Sequence, residues 1–283
     1  ARPAVAAITS AGRAHLEGFG SLAGVARAKG EIVAGLRQDG IFIFPADSSW
    51  SSLWRELAGG RACLTCGAAG AADLSVDPTS VATRWDAAGF RTTFEVSAAG
   101  QVLDLALALA GTHNVRNALV AVAMAHALGI APEAIAAGLA AMRPVPGRLF
   151  PRRVPGGARL IDDTYNANPD SVEAAIAVLM SLPGRHLLVL GDLGELGPEA
   201  PALHHRLGRA ARQAGVEVLY TVGILSTEAA AGFGPGARHF PGQAELIAAL
   251  RQDLDSDDLV LIKGSRRAAL DRVADALCAQ AEV

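Results

Sequence analysis

Beyond residue 157, short apolar runs alternate with helical patterns, and this alternation most constrains the fold. The runs are residues 158–162, 186–190, 216–222 and 259–262; the helical stretches are 171–181, 198–214, 244–253 and 266–281. Parallel neighbouring strands need crossover connections of a dozen or more residues, usually a helix. The pattern therefore predicts a parallel sheet with helices on both faces, a Rossmann-like doubly wound α/β domain. Ligands of such sheets sit beyond the carboxyl ends of the strands. Polar residues gather there: Asp163-Thr164-Tyr165-Asn166, Gly191-Asp192 and Lys263-Gly264-Ser265-Arg266.

The first half is mixed α/β. Residues 5–8 and 41–44 read as strands, the second closed by Pro45, and residues 61–65, 73–76 and 91–96 as further strands. Helical patterns cover 22–36, 114–128 and 132–142. Then Arg143-Pro144-Val145-Pro146-Gly147-Arg148 interrupts the pattern, because two prolines and a glycine do not continue a helix. The domain boundary falls here, giving domains of 1–143 and 144–283.

Composition narrows the function classes. The chain has 283 residues, enough for two domains with real cores, and a net charge of −3 with no basic stripe, which gives nucleic-acid binding no electrostatic support. No run of apolar residues is long enough for a membrane span. Three cysteines fit a reducing, cytoplasmic setting better than a disulfide framework. Cys63 and Cys66 form a Cys-x-x-Cys without the second ligand pair of a zinc site, so they read as structural thiols. Ala1-Arg2-Pro3 is no signal peptide; with no initiator Met and a strand close behind it, a missing upstream portion is expected.

Several residues carry candidate chemistry. His15 follows a Gly turn, and Lys29 lies on the next helix; a neutral imidazole ligates a divalent cation, but an ammonium has no lone pair to do so. The plain alternative is a helix-capping His15 and a solvated Lys29. Asn114 and Asn117 open the Ala-rich helix, where they either cap it or bond a nucleobase or phosphate. Arg148 suits phosphate, or a surface ion pair. Asp163 suits ribose hydroxyls, and Asn166 and Asn168 suit a polar substrate; an Asx turn at Asn168-Pro169 is the alternative. Lys263, Ser265 and Arg266 together make an anion site at an expected helix start. No Gly-x-x-x-x-Gly-Lys-Ser/Thr and no Gly-x-Ser-x-Gly occurs.

Taken in order, these segments resemble the Mur ligases. The carriers are His15-Leu16-Glu17-Gly18-Phe19-Gly20, Ala28-Lys29-Gly30-Glu31-Ile32, Gly111-Thr112-His113-Asn114-Val115-Arg116-Asn117, Val145-Pro146-Gly147-Arg148, Asp162-Asp163-Thr164-Tyr165-Asn166-Ala167-Asn168-Pro169, Gly191-Asp192-Leu193-Gly194-Glu195-Leu196-Gly197 and Lys263-Gly264-Ser265-Arg266. The Tyr-Asn-Ala-Asn-Pro and Gly-Glu-Leu-Gly elements match the branch that adds D-alanyl-D-alanine. The resemblance implies a partial central ATPase-type α/β domain before the Rossmann-like one. It implies ATP-dependent amide formation between a UDP-N-acetylmuramoyl-tripeptide and D-Ala-D-Ala, through an acyl phosphate, with ATP and Mg2+. By resemblance His15 is a magnesium ligand and Lys29 becomes one when carbamylated. Asn114, Asn117, Arg148 and Asp163 contact ATP, while Tyr165, Asn166, Asn168, Lys263 and Ser265 lie near the dipeptide.

The sequence departs from the family pattern at Ser10, Arg13 and Pro45. The family's UDP-binding domain and phosphate loop are expected upstream of Ala1, with a separate N-terminal piece as a candidate partner, so these residues alone are expected not to release ADP from ATP. A folylpolyglutamate-synthase-like ligase and a non-catalytic binding module of the same fold are the competing readings.

Overall fold

The computed structural model describes residues 2–12, 16–68 and 72–279, with the backbone alone at 16 and 17. The chain divides into two compact units, one of Ala1–Asp86 with Phe90–Arg143, the other of Ala87–Gly89 with Pro144–Val283.

In the first unit β1 (Val5–Ala7), β2 (Ile41–Pro45), β3 (Ala62–Ala68) and β4 (Leu74–Val76) run parallel. β5 (Ala82–Asp86), β6 (Gly89–Ala98) and β7 (Gln101–Leu107) extend the sheet, β6 pairing antiparallel with both β4 and β7. The helices are α1 (Leu16–Phe19), α2 (Leu22–Gly30), α3 (Ser51–Leu57), α4 (Thr112–Ala127) and α5 (Pro132–Ala140). The unbroken apolar run of β2 has a clear cause: both of its faces are covered. Phe42 and Phe44 pack with Ala26 of α2 and Trp54 of α3, while Ile43 packs oppositely with Leu119 and Val122 of α4.

The predicted helix over 22–36 stops at Gly30 and continues as a 3-10 turn, Glu31–Gly35, where glycine and β-branched Ile32 and Val33 weaken the α-helix. α3 escaped the periodicity because Trp54 is its one buried residue; its indole donates to the Ala26 carbonyl at 3.0 Å. Cys63 and Cys66 sit three apart on β3 and join different cores, so they face away from each other. All three cysteines are free thiols, and burial pushes the Cys66 thiol up to about 12. Among the described residues no group of three or more His, Cys, Asp or Glu converges on a metal position.

The second unit holds β8 (Phe150–Arg153), β9 (Arg159–Asp163), β10 (Arg185–Gly191), β11 (Val218–Val222), β12 (Ala237–Phe240) and β13 (Asp258–Lys263) in the order β12-β11-β10-β13-β9-β8. All neighbours are parallel except the β8–β9 hairpin. α6 (Pro169–Met180), α7 (Ala200–Ala214) and α8 (Ser226–Phe233) pack in a row; α9 (Gln243–Asp253) and α10 (Asp271–Cys278) pack as a pair. Alternate residues of the central strands, Leu187, Val189, Val260 and Ile262, meet Leu250 of α9 and Val273 of α10. This is the doubly wound arrangement the alternation predicts.

β8, α8 and β12 were not visible in that alternation: β8 and β12 are short edge strands of four residues, and α8 is eight residues long. The expected single helix over 266–281 is also different. A 3-10 turn, Arg266–Ala268, comes first, and Ala269 then takes a left-handed conformation (φ 47°) before α10. The Gln243 amide holds that break by donating to the Ala268 carbonyl at 2.8 Å. No helix among the described residues is long and apolar enough to cross a membrane.

Candidate functional site

In the first unit Lys29 lies in the last turn of α2, and Asn114 and Asn117 lie near the start of α4. Ser10 follows β1, and its carbonyl accepts from Lys29 Nζ at 2.7 Å. Lys29 is therefore an anchored side chain rather than a purely solvated one. Desolvation holds its pKa below the ordinary lysine value, which enlarges the share of neutral amine. His15 and Arg13 lie outside the described residues. α4 begins after Gly111, whose φ of 96° favours glycine. Asn114 does not cap that helix through its oxygen; its amide donates to the Ala110 carbonyl at 2.8 Å. Asn117, one turn on, is exposed. Arg116 stands 3.8 Å from Asp47, just after β2.

In the second unit five candidates come together at the ends of β9 and β13. Asp163 and Lys263 are register partners on these neighbouring strands. Their side chains pair at 2.6 Å, with Lys263 fully buried (2% exposed) and Asp163 nearly so (13%). A buried ammonium is tolerated only with partners, and Lys263 has a second one in the Asn166 carbonyl at 3.0 Å. The other Asp163 oxygen accepts from the Leu149 amide at 3.1 Å, and the Tyr165 amide donates to the Gly147 carbonyl at 2.9 Å. These two bonds fold the 147–149 turn onto the end of β9. They lay the Arg148 guanidinium over the Tyr165 ring, 4.1 Å from its centroid.

Other candidates separate from this cluster. The Asn168 side chain caps α6, its oxygen accepting from the Ser171 amide at 2.9 Å in a full capping box. The Asx-type alternative is thus what Asn168 does. The anion site expected of Lys263, Ser265 and Arg266 at a helix start does not form as predicted. Lys263 turns to Asp163, Arg266 pairs with Asp271 at 3.2 Å, and only a single 3-10 turn follows Ser265.

Ser265 instead lines a cavity of about 610 Å³ with Asp192, Leu193, Gly194, Gln243 and Arg267. It opens where β10 and β13 lie side by side but send their chains to opposite faces of the sheet. That is the topological switch point, where doubly wound sheets bind ligands. Gly191 and Gly264 end these strands back to back; a Cβ on Gly264 would come 3.4 Å from the Gly191 Cα. The Asp192 carboxylate accepts from the amides of Ile224 (3.0 Å) and Ser226 (2.7 Å), fixing the far wall. His204, buried on α7, bonds the Leu193 amide at 3.0 Å. Sequence reasoning missed His204. The available signal was its place with Leu203, Leu207 and Ala211 on the buried stripe of α7.

A doubly wound domain with this switch-point cavity, following a mixed-sheet α/β unit, matches a known pair of domains. Residues 1–125 match the Mur ligase middle domain, and residues 147–266 the Mur ligase, glutamate ligase domain. The chain belongs to the Mur ligases. It is 40% identical over 98% of its length to the UDP-N-acetylmuramoyl-tripeptide–D-alanyl-D-alanine ligase of Escherichia coli, and covers 60% of that protein. The Bacillus subtilis ligase of the same name is 31% identical over 96% of this chain, which covers 59% of it. A crystal structure of MurF from Acinetobacter baumannii superposes with a TM-score of 0.88 at 32% identity, over 98% of this chain and 60% of that one. The chain thus spans about 60% of the length of these relatives.

Proposed function

We propose that these residues form the middle and C-terminal parts of a cytoplasmic, ATP-dependent ligase that joins D-Ala-D-Ala to a UDP-N-acetylmuramoyl-tripeptide. The reading is carried by the 40% identity to the E. coli ligase through 98% of the chain. In the reaction, a tripeptide carboxylate oxygen takes the terminal phosphoryl group of ATP, releasing ADP. The dipeptide amine then attacks the acyl carbon. The tetrahedral adduct expels phosphate, and the nitrogen gives up its proton as the amide forms. Catalysis of this kind is mainly positioning and charge stabilisation.

The residues divide these tasks. Lys263, buried with the Asp163 carboxylate and the Asn166 carbonyl as acceptors, sets a fixed positive charge behind the strand ends that favours an anionic ligand. Arg148, stacked on Tyr165, presents a fixed guanidinium for phosphate oxygens. Asp163 orients both, through Lys263 and the Leu149 amide. Asn114 and Asn117 face the nucleotide and Ser265 the dipeptide, with Asn166 holding Lys263 through its carbonyl and Asn168 setting the α6 start. The dipeptide occupies the switch-point cavity, whose walls offer Leu193 and Val222 to methyl groups and Arg267 to a carboxylate.

Mg2+ would neutralise phosphate charge when bound. The donor set fits it only if Lys29 changes, because an ammonium offers no lone pair. The neutral amine adds to CO2, forming an N–C bond and losing one proton, and the resulting carbamate supplies oxygens; His15 would be the neighbouring ligand. Addition of 13C-bicarbonate should give a carbamate carbon signal in the NMR spectrum that Lys29→Arg lacks. Identical spectra would overturn the assignment.

The reaction itself is tested on the purified product of the whole reading frame that encodes these residues. ADP release should require both UDP-N-acetylmuramoyl-tripeptide and D-Ala-D-Ala. Equal release without the dipeptide, or with glutamate in its place, would sink the reading.

A further inference from the structure

His204 lies on α7 beside the cavity yet has no exposed surface (0%). A buried imidazole is tolerated when both ring nitrogens are bonded. Nδ1 lies 2.7 Å from the Ala200 carbonyl, one helical turn back, and Nε2 accepts from the Leu193 amide at 3.0 Å. These partners fix the state of the ring. A carbonyl only accepts, so the proton is on Nδ1; a main-chain amide only donates, so Nε2 is bare and the ring neutral. The first bond steadies the ring against its own helix. The second reaches out of the helix to the loop between β10 and α7.

That loop needs an external hold. Glu195 (φ 59°) and Gly197 (φ 61°) are both left-handed, a conformation that a side chain disfavours at Glu195. Residues 193–197 nevertheless form one continuous wall of the cavity. On the opposite wall Asp192 holds the Ile224 and Ser226 amides, so side-chain bonds to the main chain act on both loops that bound the cavity.

We infer that His204 is a positioning residue: through Nε2 it holds the Leu193 main chain, and with it the 193–197 wall, in the shape that receives the dipeptide. The inference rests on the proposal that this cavity is the dipeptide's. It separates the ring's acceptor from its bulk, and two substitutions distinguish these. His204→Leu keeps apolar volume without an acceptor. His204→Gln places an amide oxygen near the position of Nε2.

The test uses the product of the whole reading frame. Amide hydrogen exchange without ligands reads the wall directly, and KM for D-Ala-D-Ala and for ATP reads its use. In His204→Leu, exchange at Leu193 should quicken and the dipeptide KM should rise about ten-fold, the equivalent of one lost buried hydrogen bond, with the ATP KM unchanged. His204→Gln should restore most of both. Unchanged exchange at Leu193 in His204→Leu would overturn the hold by Nε2. Faster exchange with an unchanged dipeptide KM would overturn the cavity's assignment instead. A parallel rise in both KM values in the two variants, with equally lowered melting temperatures, would reduce His204 to a packing residue.

Discussion

Lys263→Met should lower the stability of the second unit by about 3 kcal/mol, the low end for breaking a buried ion pair because Asp163 keeps some exposure. The cost lies mostly in what remains. Met fills the aliphatic space, but Asp163 keeps its charge between β9 and β13 with the Leu149 amide as its remaining donor among the described residues. Adding Asp163→Asn removes that charge and keeps an oxygen for Leu149. The double variant should therefore recover most of the loss, although both single variants are destabilised. Urea unfolding of the four proteins closes the cycle. If the two losses simply add, the pair contributes nothing as a pair. The positive charge of Lys263 is proposed to favour an anionic ligand, so ADP release should stay low in the double variant even as stability returns.

Gly208→Ala should cost about 3 kcal/mol, at the upper end for overpacking. Alanine normally favours a helix over glycine by nearly 1 kcal/mol, so the expected sign is reversed. The cause is the contact between α7 and α8. A Cβ on Gly208 would run into the Ala229 carbonyl, and one on Gly232 into the His205 carbonyl, so the helices touch backbone to backbone at two points. Neither neighbour is the end of a flexible side chain that could turn aside. Gly138, in α5, has nothing within 4 Å of its absent Cβ, and Gly138→Ala should instead stabilise by about 0.5–1 kcal/mol. Thermal melting distinguishes the two cases, and equal effects would contradict the steric account.

The second unit was legible because its strands are buried on both faces and its helices are long enough to show a period. Those signals are local and survive in one sequence. The candidate site was legible only where polar residues stand at strand ends. Asp163 and Lys263 were each visible, but their pairing was not: they are 100 residues apart, joined only by the register of β9 and β13. Asn168 carried two readings that no residue pattern separates, and the structure gives it to the α6 cap. His204 was hidden because a histidine on an apolar stripe looks like filling. What marks it is the loop it reaches, which curls back over α7. Ser265 was noticed as part of an anion site; the break at Ala269, set by a long-range bond from Gln243, placed it in a cavity wall instead.

The position of β13 has a consequence for how the second unit comes into being. Among the described strands of this unit it comes last in the chain, yet it lies in the middle of the sheet, between β10 and β9. During synthesis β9 and β10 emerge early with no partner between them, and both keep open edges until residues 258–263 leave the ribosome. The unit therefore cannot be assembled strand by strand as it appears. It closes in a late step, in which the central strand inserts and Lys263 meets Asp163. Until then the nascent chain holds two sticky half-sheets, and this interval is when it is most exposed to misassembly and most in need of chaperones.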